Sequence, residues 1–139
     1  MTARGKARKK ALDVLYEADV RDVPAVEILD ARADSDQSPG NPYTTELVWG
    51  VVEHASRIDE LLSTYAQGWT LDRMPAVDRN VLRIGVFELL WNDEVPDAVA
   101  ISEAVALVQS LSTDESASFV NGLLARILQV KPQLALDGG

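Results

Sequence analysis

Apolar residues recur at three- and four-residue spacing along nearly the whole chain, and this periodicity predicts helices. From Ala7, the positions Ala11, Leu15 and Ala18, with Leu12 and Tyr16 beside them, make one amphipathic helix. Pro24 suits the first turn of a short second helix holding Val26 and Leu29. Residues 33–42, ADSDQSPGNP, carry turn formers without a period and read as a loop. A stripe of Leu47, Val51, His54, Ile58, Leu61 and Tyr65 predicts one long helix over residues 43–66. Gly68 and Pro75 bracket a linker containing Trp69 and Leu71. From Val77 to Trp91 the chain is apolar on nearly every side, the mark of a helix buried from several directions. Asp97 is expected to cap the next helix, which runs through Ile101, Ala104, Val105, Val108 and Leu111. Ser112 and Glu115 form a capping box for a last helix holding Phe119, Val120, Leu123, Leu124, Ile127 and Leu128, and Pro132 stops it.

No stretch alternates with period two and no segment repeats at 20–50 residues. The expected fold is therefore all-α, a single compact domain of six or seven helices in two packed subdomains, one over residues 3–70 and one over 75–130. Residues 131–139 are expected to be a frayed tail.

Composition narrows the function classes. The chain has no cysteine, which removes thiolate zinc sites and thiol catalysis and fits a reducing compartment. No run reaches the ~18 uncharged apolar residues of a membrane span, and Asp13, Glu17 and Asp19 break the segment where a secretory signal needs its apolar core. A cytoplasmic location follows as the expectation. The net charge of −9 conceals an asymmetry. Arg4, Lys6, Arg8, Lys9 and Lys10 all precede the first acid, Asp13, so residues 11–139 hold 8 basic and 22 acidic side chains. A basic arm over residues 1–10 on an acidic body suits a polyanion met by one short surface; a solvated amino terminus is the alternative.

Enzyme signatures are missing. His54 is the single histidine, on an apolar stripe, and reads as a partly buried, hydrogen-bonded core residue and not a ligand. No phosphate-binding glycine motif or Glu-x-x-His pair occurs, and no cofactor or metal is implied. Asp59-Glu60 and Asp93-Glu94 read as solvated. Gly50, Gly85 and Gly122 interrupt predicted helices, where glycine costs about 1 kcal/mol relative to alanine, so each marks a close helix crossing or a partner's approach. Asn121 either reads a base edge or bonds a neighbouring helix end. Arg83, within the most apolar helix, pairs with a carboxylate such as Glu88 or Asp78 or meets a phosphate. Tyr16 and Phe119 either stack on bases or fill the core.

Three segments carry a resemblance. ARGKARKKALDVLYEAD (3–19), VDRNVLRIGVFELL (77–90) with DEVPDAVAISEAV (93–105), and STDESASFVNGLL (112–124) are similar, in the same order, to blocks of the NusB family of bacterial transcription antitermination factors. The resemblance runs over residues 3–128. It implies two packed helical subdomains, no catalysis, and binding of the single-stranded boxA element of nascent RNA together with NusE, a small-subunit ribosomal protein, within the RNA polymerase antitermination complex. Carried over, the RNA-binding residues are Arg4, Lys6, Arg8, Lys9, Lys10, Arg83, Glu115, Ser116, Phe119 and Asn121, and the NusE face is Tyr16 and Asp78. Gly5 and Ser118 stand where the family often has basic residues, so two phosphate contacts are expected to be lost. Some members self-associate, which leaves a homodimer open. Two other readings remain: a helical module that binds only protein, and a regulatory RNA-binding domain related to that of ribosomal RNA methyltransferases.

Overall fold

The computed structural model describes residues 2–32 and 40–134. Among them are seven α-helices, two single 3₁₀ turns and no strand. The chain divides into two compact units, residues 1–54 and 55–139. The division falls at His54 and Ala55, not in the Gly68–Pro75 linker where the sequence placed it.

The first unit holds α1 (Ala3–Arg21), α2 (Ala25–Arg32) and α3 (Pro42–Glu53), and each helix packs on the other two. Thr2 caps α1 by accepting from the Gly5 N–H at 2.9 Å, so the basic arm is helical from its third residue. Asp22 ends α1 in the left-handed conformation, φ 56°, which an aspartate tolerates better than most side chains. Asn41 caps α3, with Pro42 at its first position. The core joins Ala7, Ala11, Leu12, Val14 and Leu15 of α1 to Ile28 and Leu29 of α2 and Leu47, Val48 and Val51 of α3. Thr44, fully buried, donates to the Ala7 carbonyl at 3.1 Å and so ties α3 to the arm. Most of the loop expected over 33–42 lies outside the described residues, as do residues 135–139 of the expected tail; residues 131–133 form a 3₁₀ turn.

The long helix expected over 43–66 is two helices. His54, half-buried, leaves helical geometry at φ −104°, ψ 15°, and α4 (Ala55–Tyr65) begins beyond it. One non-helical residue that is neither glycine nor proline leaves the apolar spacing unbroken, and for that reason the pattern did not reveal the break.

The second unit continues from α4 through a 3₁₀ turn (Leu71–Arg73) to α5 (Ala76–Trp91), α6 (Asp97–Leu111) and α7 (Asp114–Val130). The centre is α5, packed against α4, α6 and α7 and buried from Val81 and Leu82 through Leu90 except at half-exposed Arg83. Gly85 fulfils the close-crossing reading: a Cβ there would stand 3.0 Å from Leu124 Cδ1 and 3.5 Å from Ala104 Cβ. Gly122 does not, since the nearest atom to its added Cβ is the flexible Arg126 guanidinium at 3.5 Å.

Both expected caps move by one residue. Pro96, not Asp97, is the N-cap of α6, and Asp97 sits in the first turn, where its charge favours the helix and pairs with Lys131 at 2.9 Å. Ser112 is occupied as the C-cap of α6, its N–H donating to the Val108 carbonyl at 2.7 Å. The N-cap of α7 therefore passes to Thr113, which accepts from the Ser116 N–H at 3.0 Å.

Candidate RNA-binding surfaces

The five cations of the arm do not share one environment. Lys6 and Lys10 are exposed on one face of α1, a turn apart, and Lys9 beside them pairs with Asp13 at 2.7 Å. Arg4 and Arg8 turn the other way, onto the Tyr43 ring, with guanidinium carbons 4.7 and 5.8 Å from its centroid. Arg8 is 3% exposed. The cations of the arm most open to solvent are thus the lysines, and Arg8 is buried in the packing of α1 on α3. Farther along α1, Tyr16 is 41% and Val20 59% exposed, an apolar pair one turn apart. Tyr16 is therefore not a core aromatic.

In the second unit, Gly68 adopts φ +80°, a conformation that suits only glycine, and turns the chain after α4 so that Trp69 meets Phe119, ring centroids 5.9 Å apart. Arg79 holds the following turn by donating to the carbonyls of Leu71 (2.8 Å) and Met74 (3.2 Å). The resulting pocket, about 330 Å³, is lined by Trp69, Met74, Pro75, Asp78, Ser112, Thr113, Glu115, Ser116 and Phe119. Of the residues singled out in the sequence, Asp78, Glu115, Ser116 and Phe119 come together here. Trp69 was missed as a site residue; it was visible only as an aromatic in a linker, beside a glycine.

Asp78 does not stand on an open face: it is 2% exposed. Ser116 Oγ donates to its Oδ2 at 2.6 Å, while Ser112 Oγ and Thr113 Oγ1 donate to Ser116 at 3.1 and 3.2 Å. Asp78 Oδ1 is buried with no hydrogen-bond partner.

Asn121 lies apart from that pocket. It is exposed, and it lines a shallow apolar groove with Ile101 and Val105 of α6 and Leu128 of α7. Two residues along a helix turn the side chain by about 200°, so Phe119 and Asn121 cannot share a face. Arg83 pairs with Asp59 of α4. Its Nε and Nη2 donate to Asp59 Oδ1 and Oδ2 at 2.9 and 3.1 Å, and its Nη1 to Asn80 Oδ1 at 3.1 Å. Asp59, expected to be solvated, is thereby half of a partly buried, two-pronged ion pair. No cluster of three potential metal ligands occurs among the described residues.

The sequence profile of the NusB family matches residues 5–129. A Nocardioides protein described as transcription antitermination protein NusB is 64% identical over 97% of this chain and 100% of its own length. The chain belongs to the NusB family. Among solved NusB structures, that of T. maritima NusB matches with a TM-score of 0.80 at 32% identity, over 96% of this chain and 99% of that one. A chain from the crystal structure of antitermination factors NusB and NusE in complex with dsRNA matches with a TM-score of 0.78 at 28% identity, over 91% and 96% of the two chains. The expected helical NusB fold is the one observed.

Proposed function

We propose that this NusB-family chain is a transcription antitermination factor that binds single-stranded boxA RNA together with NusE, so that RNA polymerase passes terminators, chiefly on ribosomal RNA operons. The observation that carries this reading is the match, at 64% identity and over the full length of the relative, to a protein described as transcription antitermination protein NusB. The solved assembly of NusB and NusE with dsRNA, whose NusB-like chain this one resembles, supports a protein and an RNA as partners. The factor acts by binding and not by catalysis. Its setting is the cytoplasm, where transcription takes place, and no helix among the described residues is long and apolar enough to cross a membrane.

The physical properties of the two surfaces support a division of labour. Lys6, Lys9 and Lys10 offer cations to phosphates, with Arg4 partly exposed behind them, and the Phe119 pocket offers aromatic and hydroxyl groups to an unstacked base. Tyr16 and Val20 offer an apolar patch, and the acidic body a favourable field, to a basic ribosomal protein. Transcription in vitro through a terminator, on a template with and without an upstream boxA, tests the proposal. Readthrough that rises on adding this chain with NusE and the other antitermination factors, and only on the boxA template, is the expected result. Equal readthrough with and without the chain would refute it.

A further inference from the structure

The outward face of α3 carries an indole between two carboxylates. Trp49 is 52% exposed and Val52 39%, so two large apolar side chains stand in solvent one turn apart. Glu46 and Glu53, both exposed, lie one turn before and one turn after Trp49. At 100° and 1.5 Å per residue, positions 46, 49 and 53 fall within an arc of about 60° and a length of about 10 Å, a single stripe.

These two carboxylates differ from other acids of the chain, several of which have a cation beside them: Lys9 pairs with Asp13, Arg57 with Glu60 and Lys131 with Asp97. The Glu46 and Glu53 side chains have no ion pair or hydrogen bond among the described residues, and residues 33–56 contain no lysine or arginine. Glu53 is also the last residue of α3, where the negative end of the helix dipole opposes a carboxylate and no basic side chain offsets it. An exposed indole and two unneutralised charges are each unfavourable in the isolated chain, and one kind of group relieves all three: a cation on an apolar stem. Arginine fits best, since its guanidinium stacks on an indole, forks onto a carboxylate, and brings methylene groups to cover Val52. The phosphates of a nucleic acid or an anionic lipid surface are repelled by the same charges.

We infer that the Glu46–Trp49–Glu53 stripe of α3 is a docking site for an arginine-rich segment of a partner protein. The stripe lies on a different helix from the Tyr16 and Val20 patch and does not depend on the RNA-binding reading. A polyproline-II segment presents the same face every third residue and advances about 9 Å in doing so, close to the span from Glu46 to Glu53. Two arginines at that spacing meet the two carboxylates, with a guanidinium or its stem laid against Trp49.

The test uses the full chain and a labelled peptide of about twelve residues, with arginine at every third position among prolines and alanines, beside a copy with glutamine for arginine. Fluorescence anisotropy at low salt should show the arginine peptide binding at least about tenfold tighter than its copy. Trp49→Ala should weaken that binding by about fivefold, and Trp49→Phe by less, since either ring attracts a cation. Glu46→Gln combined with Glu53→Gln should weaken it by about tenfold, the sum of two surface pairs. Asp93→Asn combined with Glu94→Gln removes the same charge from an exposed turn elsewhere and should leave binding within about twofold. Glu53→Gln alone should raise Tm by about 1–4 °C, because it removes a charge the helix end opposes. Equal losses from the two double variants would mean a uniform attraction to an acidic chain and would overturn the stripe, as would peptide binding unchanged by Trp49→Ala. A lower Tm for Glu53→Gln would assign that carboxylate to the fold and overturn its part in docking. A uridine oligomer whose binding falls on Trp49→Ala would place RNA on this face and overturn the choice of a protein partner.

Discussion

Asp59 of α4 and Arg83 of α5 are joined by two parallel hydrogen bonds of 2.9 and 3.1 Å, side chains 35% and 20% exposed. The pair fixes α4 against the central helix and occupies the guanidinium that the family resemblance assigned to RNA. Its depth lies between a surface ion pair, worth up to ~1 kcal/mol, and a buried one, whose rupture costs ~3–5 kcal/mol. Asp59→Asn should therefore destabilise the protein by about 2 kcal/mol and lower Tm by roughly 5–10 °C. RNA affinity of the folded variant should stay within about twofold, measured well below Tm, because the arm and the pocket do not depend on this pair.

Gly85 and Gly122, two of the glycines inside helices, should respond oppositely to alanine. At Gly122 only a flexible arginine is near, so Gly122→Ala gains helix propensity and should raise stability by about 0.5–1 kcal/mol. At Gly85 the new methyl group would press on Leu124, which is itself fully buried, and Gly85→Ala should cost about 1–2 kcal/mol net. Thermal unfolding of both variants checks the signs.

Salt dependence distinguishes the lysine face from the two arginines. Three phosphate contacts by Lys6, Lys9 and Lys10, at ~0.7 counterions each for single strands, set a log–log slope of about −2. Replacing Lys6 and Lys10 by glutamine should bring it to about −0.7, with Tm little changed because both are exposed. Arg8→Gln should do the reverse: it removes a buried cation stacked on Tyr43, so Tm falls while the slope holds.

The apolar pair on α1 gives a test of the protein partner. Tyr16→Asp and Val20→Asp should each weaken NusE binding by about tenfold and leave the helical circular dichroism signal intact, since both side chains face solvent. Calorimetric titration with NusE checks this.

The helical class and order of the elements were legible in the sequence because apolar spacing determines which face of each helix is buried. The cost of glycine inside a helix marked Gly85 as special but left open whether a helix or a partner comes close there, and it marked Gly122, which has no such crossing, in the same way. What failed to show depended on distant partners or on single residues. Arg83 finds Asp59, 24 positions earlier, and no local pattern encodes that choice. His54 breaks a helix without disturbing its period. Arg8 looked like its four neighbours in the arm until Tyr43, from another helix, gave it a ring to cover. The pocket was half visible: Phe119, Ser116 and Glu115 belong to one run, whereas Trp69 reaches them only through the turn at Gly68.

Anisotropy titration of labelled boxA RNA with this chain, alone and with saturating NusE, tests the central claim most directly. Binding that requires the chain, favours boxA over a scrambled sequence, and tightens when NusE is present is the predicted result. Absence of any boxA preference both with and without NusE, in a protein whose helical signal is intact, would contradict it.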